Sequence, residues 1–146
     1  MGMNQAWAAA GAALLLLAGG CGDPDREKAE ALFREAREIH RRGEGEEEER
    51  RQQIIARLRQ AVELAPDLHP ARINYALLLA DDGDYTAALR QARKVPFGEP
   101  GRARVVALAS AGLFRLKRDP ILVDEVLGAL NEAGESLTPA DRFEIA

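Results

Sequence analysis

An all-α domain built from helical hairpins is the fold this sequence predicts, on three observations. Apolar residues recur three, four and seven positions apart from Asp25 onward, and no window keeps the period-two alternation of a strand. Ala, Leu, Arg and Glu dominate the composition, and all four are strong helix formers. Short breaks bearing Gly or Pro interrupt the pattern at Gly43–Gly45, Pro66, Asp82–Gly83, Pro96–Gly101 and Asp119–Pro120.

The first 22 residues carry no charge and belong to an address rather than to the fold. Ala6–Ala18 is an apolar run of 13 residues. As a helix it spans roughly 20 Å, short of the roughly 30 Å hydrocarbon core of a bilayer. That length suits a signal-peptide h-region. Leu17-Ala18-Gly19-Gly20-Cys21 resembles the lipobox of bacterial lipoproteins. The resemblance implies a signal peptide over 1–20, diacylglyceryl transfer to the Cys21 thiol, cleavage before Cys21, and acylation of the new amino group. Residues 21–24 then form a lipidated tether. An uncleaved anchor and an ordinary signal peptide with a leftover thiol are the alternatives. Gly22, not Asp, follows Cys21, which for such lipoproteins favours the outer membrane over inner-membrane retention.

Seven helices are expected in the rest. Ala29, Leu32, Phe33, Ala36 and Ile39 make one stripe of a helix over about 25–42. Ile54, Leu58, Ala61, Val62 and Ala65 make the second, which stops at Pro66. The third begins between Asp67 and Pro70, carries Ile73, Ala76, Leu77 and Ala80, and ends at Asp82-Gly83. The fourth runs from about Asp84 to Val95, the fifth from about Arg102 to Lys117, and the sixth from Asp119 to Ala133. Thr138-Pro139 starts a seventh, with an N-cap acceptor followed by a Pro whose missing N–H costs nothing there.

Pro66 and Pro100 lie 34 residues apart, the period of the tetratricopeptide repeat. Between them Tyr75-Ala76, Leu79, Gly83, Tyr85 and Ala88, closed by Pro100, fall where that repeat places its large/small pair, aromatic position, turn Gly, second aromatic, small residue and terminal Pro. In that frame Ala76 and Ala88 let two helices approach closely, Gly83 makes the turn, and Tyr85 packs back over it. The flanking hairpins resemble the repeat more loosely, and the third has Asp119-Pro120 where a Gly turn is usual. The resemblance implies a right-handed solenoid of about three antiparallel hairpins within 25–146. Its concave face would be lined by the first helix of each pair and would bind a peptide or partner helix. The inward positions are then Pro70, Ile73, Asn74, Leu77 and Asp81, with Arg104 from the next hairpin. Asn74 sits nine residues before Gly83, where repeats that clamp a C-terminal carboxylate carry Asn. Leu108 stands where such a clamp needs a second cation, so chaperone-tail recognition is not expected. Asn74 is either a ligand for a peptide backbone or a partner of its own neighbouring backbone.

Chemistry of other kinds lacks support. One Cys rules out an intrachain disulfide or a multi-Cys metal site, and 20 basic against 24 acidic residues rules out a strongly basic nucleic-acid binder. Aromatics at 5% do not build a cofactor pocket. His40 and His69 have no Ser, Cys or acidic partner at a catalytic spacing and read as surface or cap residues. No phosphate-cradling Gly motif, zincin string or haem-attachment string occurs. Asp81, Asp82 and Asp84 around Gly83 lack the spaced ligands of a calcium loop and read as a solvated turn. Glu44 and Glu46–Glu49 read as a solvated loop or a partner-contact patch, and Arg90, Arg93, Lys94, Arg102 and Arg104 as a basic patch or as ordinary solvated helix faces.

The expectation is therefore a non-catalytic lipoprotein of the bacterial cell envelope. It has no cofactor, metal, nucleic acid or small-molecule substrate. Its repeats dock or scaffold a protein partner in the envelope, and its lipid anchor holds it to the membrane. The rival expectation is a permanent structural subunit of a membrane-associated complex.

Overall fold

The computed structural model describes residues 23–136, and among them it contains six helices and no strand. These are α1 (Pro24–Arg42), α2 (Glu47–Leu64), α3 (His69–Asp81), α4 (Tyr85–Ala92), α5 (Arg102–Lys117) and α6 (Ile121–Ser136). The Thr138-Pro139 helix and the Cys21 segment lie outside the described residues.

Local chemistry sets the ends. Asp23 caps α1 by accepting from the Asp25 N–H at 3.0 Å, Pro24 occupies the first turn, and Gly43 closes the helix at φ +65°. Glu47, Glu48 and Glu49 are not a loop: they form the first turn of α2, where negative charge meets the positive end of the helix dipole. Arg50 fastens the preceding turn by donating to the carbonyls of Gly43 and Gly45. At the end of α3 the Asp84 N–H reaches Leu79 O at 2.9 Å and the Gly83 N–H reaches Ala80 O at 3.0 Å, with Gly83 at φ +81°. Those two bonds are a Schellman closure, which demands the left-handed conformation that Gly adopts freely.

Two boundaries differ from expectation. The α-helix over 84–95 stops at Ala92, because Val95 precedes Pro96 and is driven from helical ψ. The last turn closes instead by bonds from Lys94 N to Gln91 O and from Val95 N to Ala92 O. α6 starts at Ile121, whose N–H donates to the Asp119 carboxylate at 3.1 Å. Before it, Arg118 takes the left-handed role usual for Gly, at φ +56°.

Sequential helices pack as pairs, most extensively α1 with α2, α5 with α6, and α3 with α4; α3 also touches α5 directly. Buried Ala29, Leu32, Ala36, Ile54, Leu58 and Ala71 belong to one apolar core over α1–α3, and Ile73, Ala76, Leu89, Val105, Ala109 and Leu122 to another over α3–α6. α3 is the shared wall: Ala71, Tyr75 and Leu78 face the first core, while Ile73, Ala76 and Ala80 face the second. Ala76 and Ala88 are fully buried in the second core, where larger side chains would hold the helices apart.

Tyr85 does not pack over Gly83. Its ring lies on Gly112 of α5, so close that a Cβ on Gly112 would sit 2.5 Å from ring carbons. The missing side chain leaves a slot in α5, and filling it removes the aromatic face from water. Gly101, at the start of α5, makes a second close approach: its Cβ would lie 3.1 Å from Ile73 Cγ2.

Candidate functional site

Gly101 against Ile73 seats α5 beside α3, the Tyr85 ring on Gly112 holds α5 to α4, and α2 carries α1 along the other flank of α3. Side chains from α1, α3 and α5, with two from α2, thereby enclose one half-open groove of about 780 Å³. α3 contributes Asn74, Leu77, Leu78 and Asp81 to the floor, spaced 0, 3, 4 and 7 along one helix face. α1 contributes Phe33, Arg34, Arg37, Glu38, His40 and Arg41, α2 contributes Ile54 and Leu58 to the floor, and α5 contributes Arg104.

Asn74, Leu77, Asp81 and Arg104 are thus brought together. Ile73 is a correction. It is only 7% exposed, packed in the α3–α6 core against Gly101, because one residue along a helix turns the side chain about 100° away from Asn74. Pro70 is exposed but does not line the groove; its carbonyl accepts from Asn74 Nδ2 at 2.7 Å. That bond leaves Asn74 Oδ1 without a partner among the described residues.

The α1 side chains are the part that sequence reasoning missed. Phe33, one of the apolar stripe of α1, packs half-buried against the first core with the Arg37 guanidinium 5.9 Å from its ring centroid. Phe33, Arg37 and Arg41 recur at four-residue intervals, a cationic stripe that the i, i+4 spacing does record.

Charge in the groove is unevenly paired. Glu38 accepts from Arg41 at 2.8 and 2.7 Å and from Arg42 at 2.8 Å, and these bonds hold its carboxyl at about 2, well below the ordinary carboxylate range. Arg34, Arg104 and Asp81 have no ion pair or hydrogen-bond partner among the described residues. Four guanidiniums and two carboxylates line the groove, a local +2 with His40 neutral, on a chain whose net charge is −4.

The other candidate clusters disperse. Asp82 pairs with Arg51 of α2 and Asp84 caps α4 through the Ala87 N–H, so only Asp81 of the three turns to the groove. Of the basic group, Arg93 makes a bidentate pair with Glu125, Arg102 pairs with buried Glu132, and Arg104 lies in the groove. Arg90 and Arg93 line a separate, smaller depression with Lys117 on α4–α6. His69 Nδ1 is buried without a partner beside the α3 start, not in the groove. No described helix is long and apolar enough to cross a membrane, and no cluster of His, Cys, Asp or Glu fit to hold a metal occurs among the described residues.

Compared with known family models, curated proteins and solved structures, the chain matches none.

Proposed function

We propose that this chain is a lipid-tethered docking protein of the bacterial cell envelope, whose stacked, tetratricopeptide-like hairpins hold a segment of another protein in the α1–α3–α5 groove. The observation that carries the reading is that alternate helices of the chain, each the first of a sequential pair, contribute to one open groove. Half-exposed apolar side chains and unpaired guanidiniums there meet the requirements of a peptide site, a few apolar anchors with convergent polar groups. The reading is non-catalytic, with no cofactor. Cys21 supplies the membrane attachment, since several acyl chains anchor stably where one does not.

Photo-crosslinking in the native envelope tests it. A crosslinking amino acid at Leu77 is expected to trap a discrete protein, while the same group at exposed Gln60 on α2 traps none. Equal trapping from both positions, or none from Leu77, overturns the groove as the docking face.

One observation favours a second reading, a permanent subunit of a larger assembly. On α6, Val123, Leu127 and Leu130 form an exposed stripe, with Leu116 and Ile121 also exposed nearby in the chain. Exposed apolar side chains repeated along one helix face support an interface there. Obligate co-purification through α6, lost on replacing Leu127 and Leu130 by Gln, distinguishes it from groove docking.

A further inference from the structure

We infer that the groove takes an extended acidic segment of a protein partner, with carboxylate side chains seated on Arg34 and Arg104 and apolar side chains on the Phe33–Leu77 floor between them. This rests on the docking reading and adds the chemistry of the occupant.

The charge pattern selects it. Of the groove cations, Arg41 is already paired with Glu38, a carboxylate it shares with Arg42, so its charge is partly satisfied within the chain. Arg34 on α1 and Arg104 on α5 stand on opposite walls without partners among the described residues, and Arg37 rests only on the Phe33 ring. Against these three cations the groove sets one unpaired carboxylate, Asp81. A guanidinium offers a planar fork of donors that fits a carboxylate bidentately. A segment with acidic residues on both sides of an apolar one therefore satisfies both walls at once, and a neutral or basic segment leaves the cations desolvated and unpaired.

The floor argues for polypeptide. Phe33, Leu77 and Leu78 separate the two cationic walls with apolar surface, which an inorganic anion or a phosphate backbone does not cover. Asn74 Oδ1, free while Nδ2 holds Pro70 O, is an acceptor for a backbone N–H lying along α3.

The test uses the full chain in detergent micelles and dye-labelled peptides alternating Glu with Leu, Gln with Leu, or Lys with Leu, read by fluorescence anisotropy. The Glu peptide is expected to bind. Its dissociation constant is expected to rise at least about tenfold in an Arg34→Glu, Arg104→Glu variant, with both sites exposed and the helical circular dichroism unchanged, and the Lys peptide is expected to gain binding to that variant. Raising salt from about 0.05 to 0.5 M is expected to weaken the Glu peptide alone. Equal binding of the Glu and Gln peptides, or no loss in the reversed variant, overturns the acidic occupant while Leu77 crosslinking still reports docking. Capture of anionic vesicles through Arg34 and Arg104, with no peptide binding, overturns it in favour of a membrane surface. Loss of both peptide binding and Leu77 crosslinks removes the docking reading as well.

Discussion

Replacing Gly112 by Ala tests the joint on which Arg104 depends. Ala adds one methyl, and its Cβ would stand 2.5 Å from Tyr85 Cδ1 and Cε1 and 2.6 Å from Cγ. Ordinary carbon contacts lie at about 3.5–4.0 Å, so the ring must retreat by about 1 Å. Cγ is the root of the ring rather than a flexible tip, and the ring is half-buried against the α3–α6 core. Overpacking of this kind costs about 1–3 kcal/mol. Helix propensity opposes it, since Ala in a helix interior is better than Gly by about 1 kcal/mol. The net expectation is a loss of about 0–2 kcal/mol. Gly128 of α6 supplies the control, because nothing lies within 4 Å of its Cβ position, and there Ala is expected to gain about 0.5–1 kcal/mol. The difference between the variants, about 1–3 kcal/mol, is the measured quantity, and by urea unfolding it separates their midpoints by roughly 1 M. Adding Tyr85→Leu to Gly112→Ala removes most of the overpacking, so the pair is expected to couple favourably. Equal stabilisation by both Gly→Ala changes would refute the seating of Tyr85 on α5.

Three further expectations follow from named contacts. Arg102→Met strands the Glu132 carboxylate, 3% exposed, with only the Gly98 N–H at 3.0 Å, and is expected to cost about 3–5 kcal/mol in denaturant unfolding, part of it recovered by adding Glu132→Leu; a cost below about 1 kcal/mol would contradict the pairing. Glu38 is expected to titrate at about 2 by side-chain NMR and to return toward the ordinary 4.5 when Arg41 and Arg42 are both replaced by Ala. Its folded value is depressed, so any stability it contributes is fully present above the ordinary value and declines as pH falls from there toward about 2. Cys21→Ser is expected to move the protein from the membrane fraction to the soluble one, and an intact, unmodified Met1 peptide by mass spectrometry in the wild type would refute lipidation.

Punctuation made most helices legible before any coordinates. Gly43, Pro66, Gly83 and Gly101 mark real ends, because each either takes a left-handed φ or lacks a donor. Val95 misled, since Ala92 to Val95 keeps helical composition and only the neighbouring Pro96 denies it an α-helical end. In the groove, Asn74, Leu77 and Asp81 were legible from a single helix face, whereas Ile73 was off by one residue and so by nearly a third of a turn. The α1 wall stayed hidden because its side chains meet α3 across more than thirty residues of chain. Pairing partners were hidden for the same reason: Arg93 finds Glu125 and Arg102 finds Glu132 at separations of 32 and 30 residues, where spacing rules are silent.

The two walls of the groove are not held alike, and this predicts how it moves. α5 touches α3 directly, with Gly101 close on Ile73, and is held to α4 by the Tyr85 ring in the Gly112 slot. α1 reaches α3 chiefly through α2. α1 packs on α2 through Ala29, Leu32 and Ala36, while its ion pairs, Arg26–Asp67 at the α2–α3 turn and Arg57–Glu35 to α2, are exposed and weak. α2 in turn meets α3 over a smaller contact, where Arg51 bonds both Asp82 and Leu78 O, so α1 and α2 form the better-packed unit and α2–α3 is its joint to the rest. The Arg34 side, joined to α3 chiefly through α2, is therefore the one expected to yield to an incoming segment, while the Arg104 side, packed on both α3 and α4, stays fixed. Native-state amide exchange tests this: amides of α1 are expected to open at lower free energy than those of α3 and α5, and to gain the most protection when the acidic peptide binds. Protection confined to α5, with α1 already as slow as α3, would show that the groove is rigid on both sides.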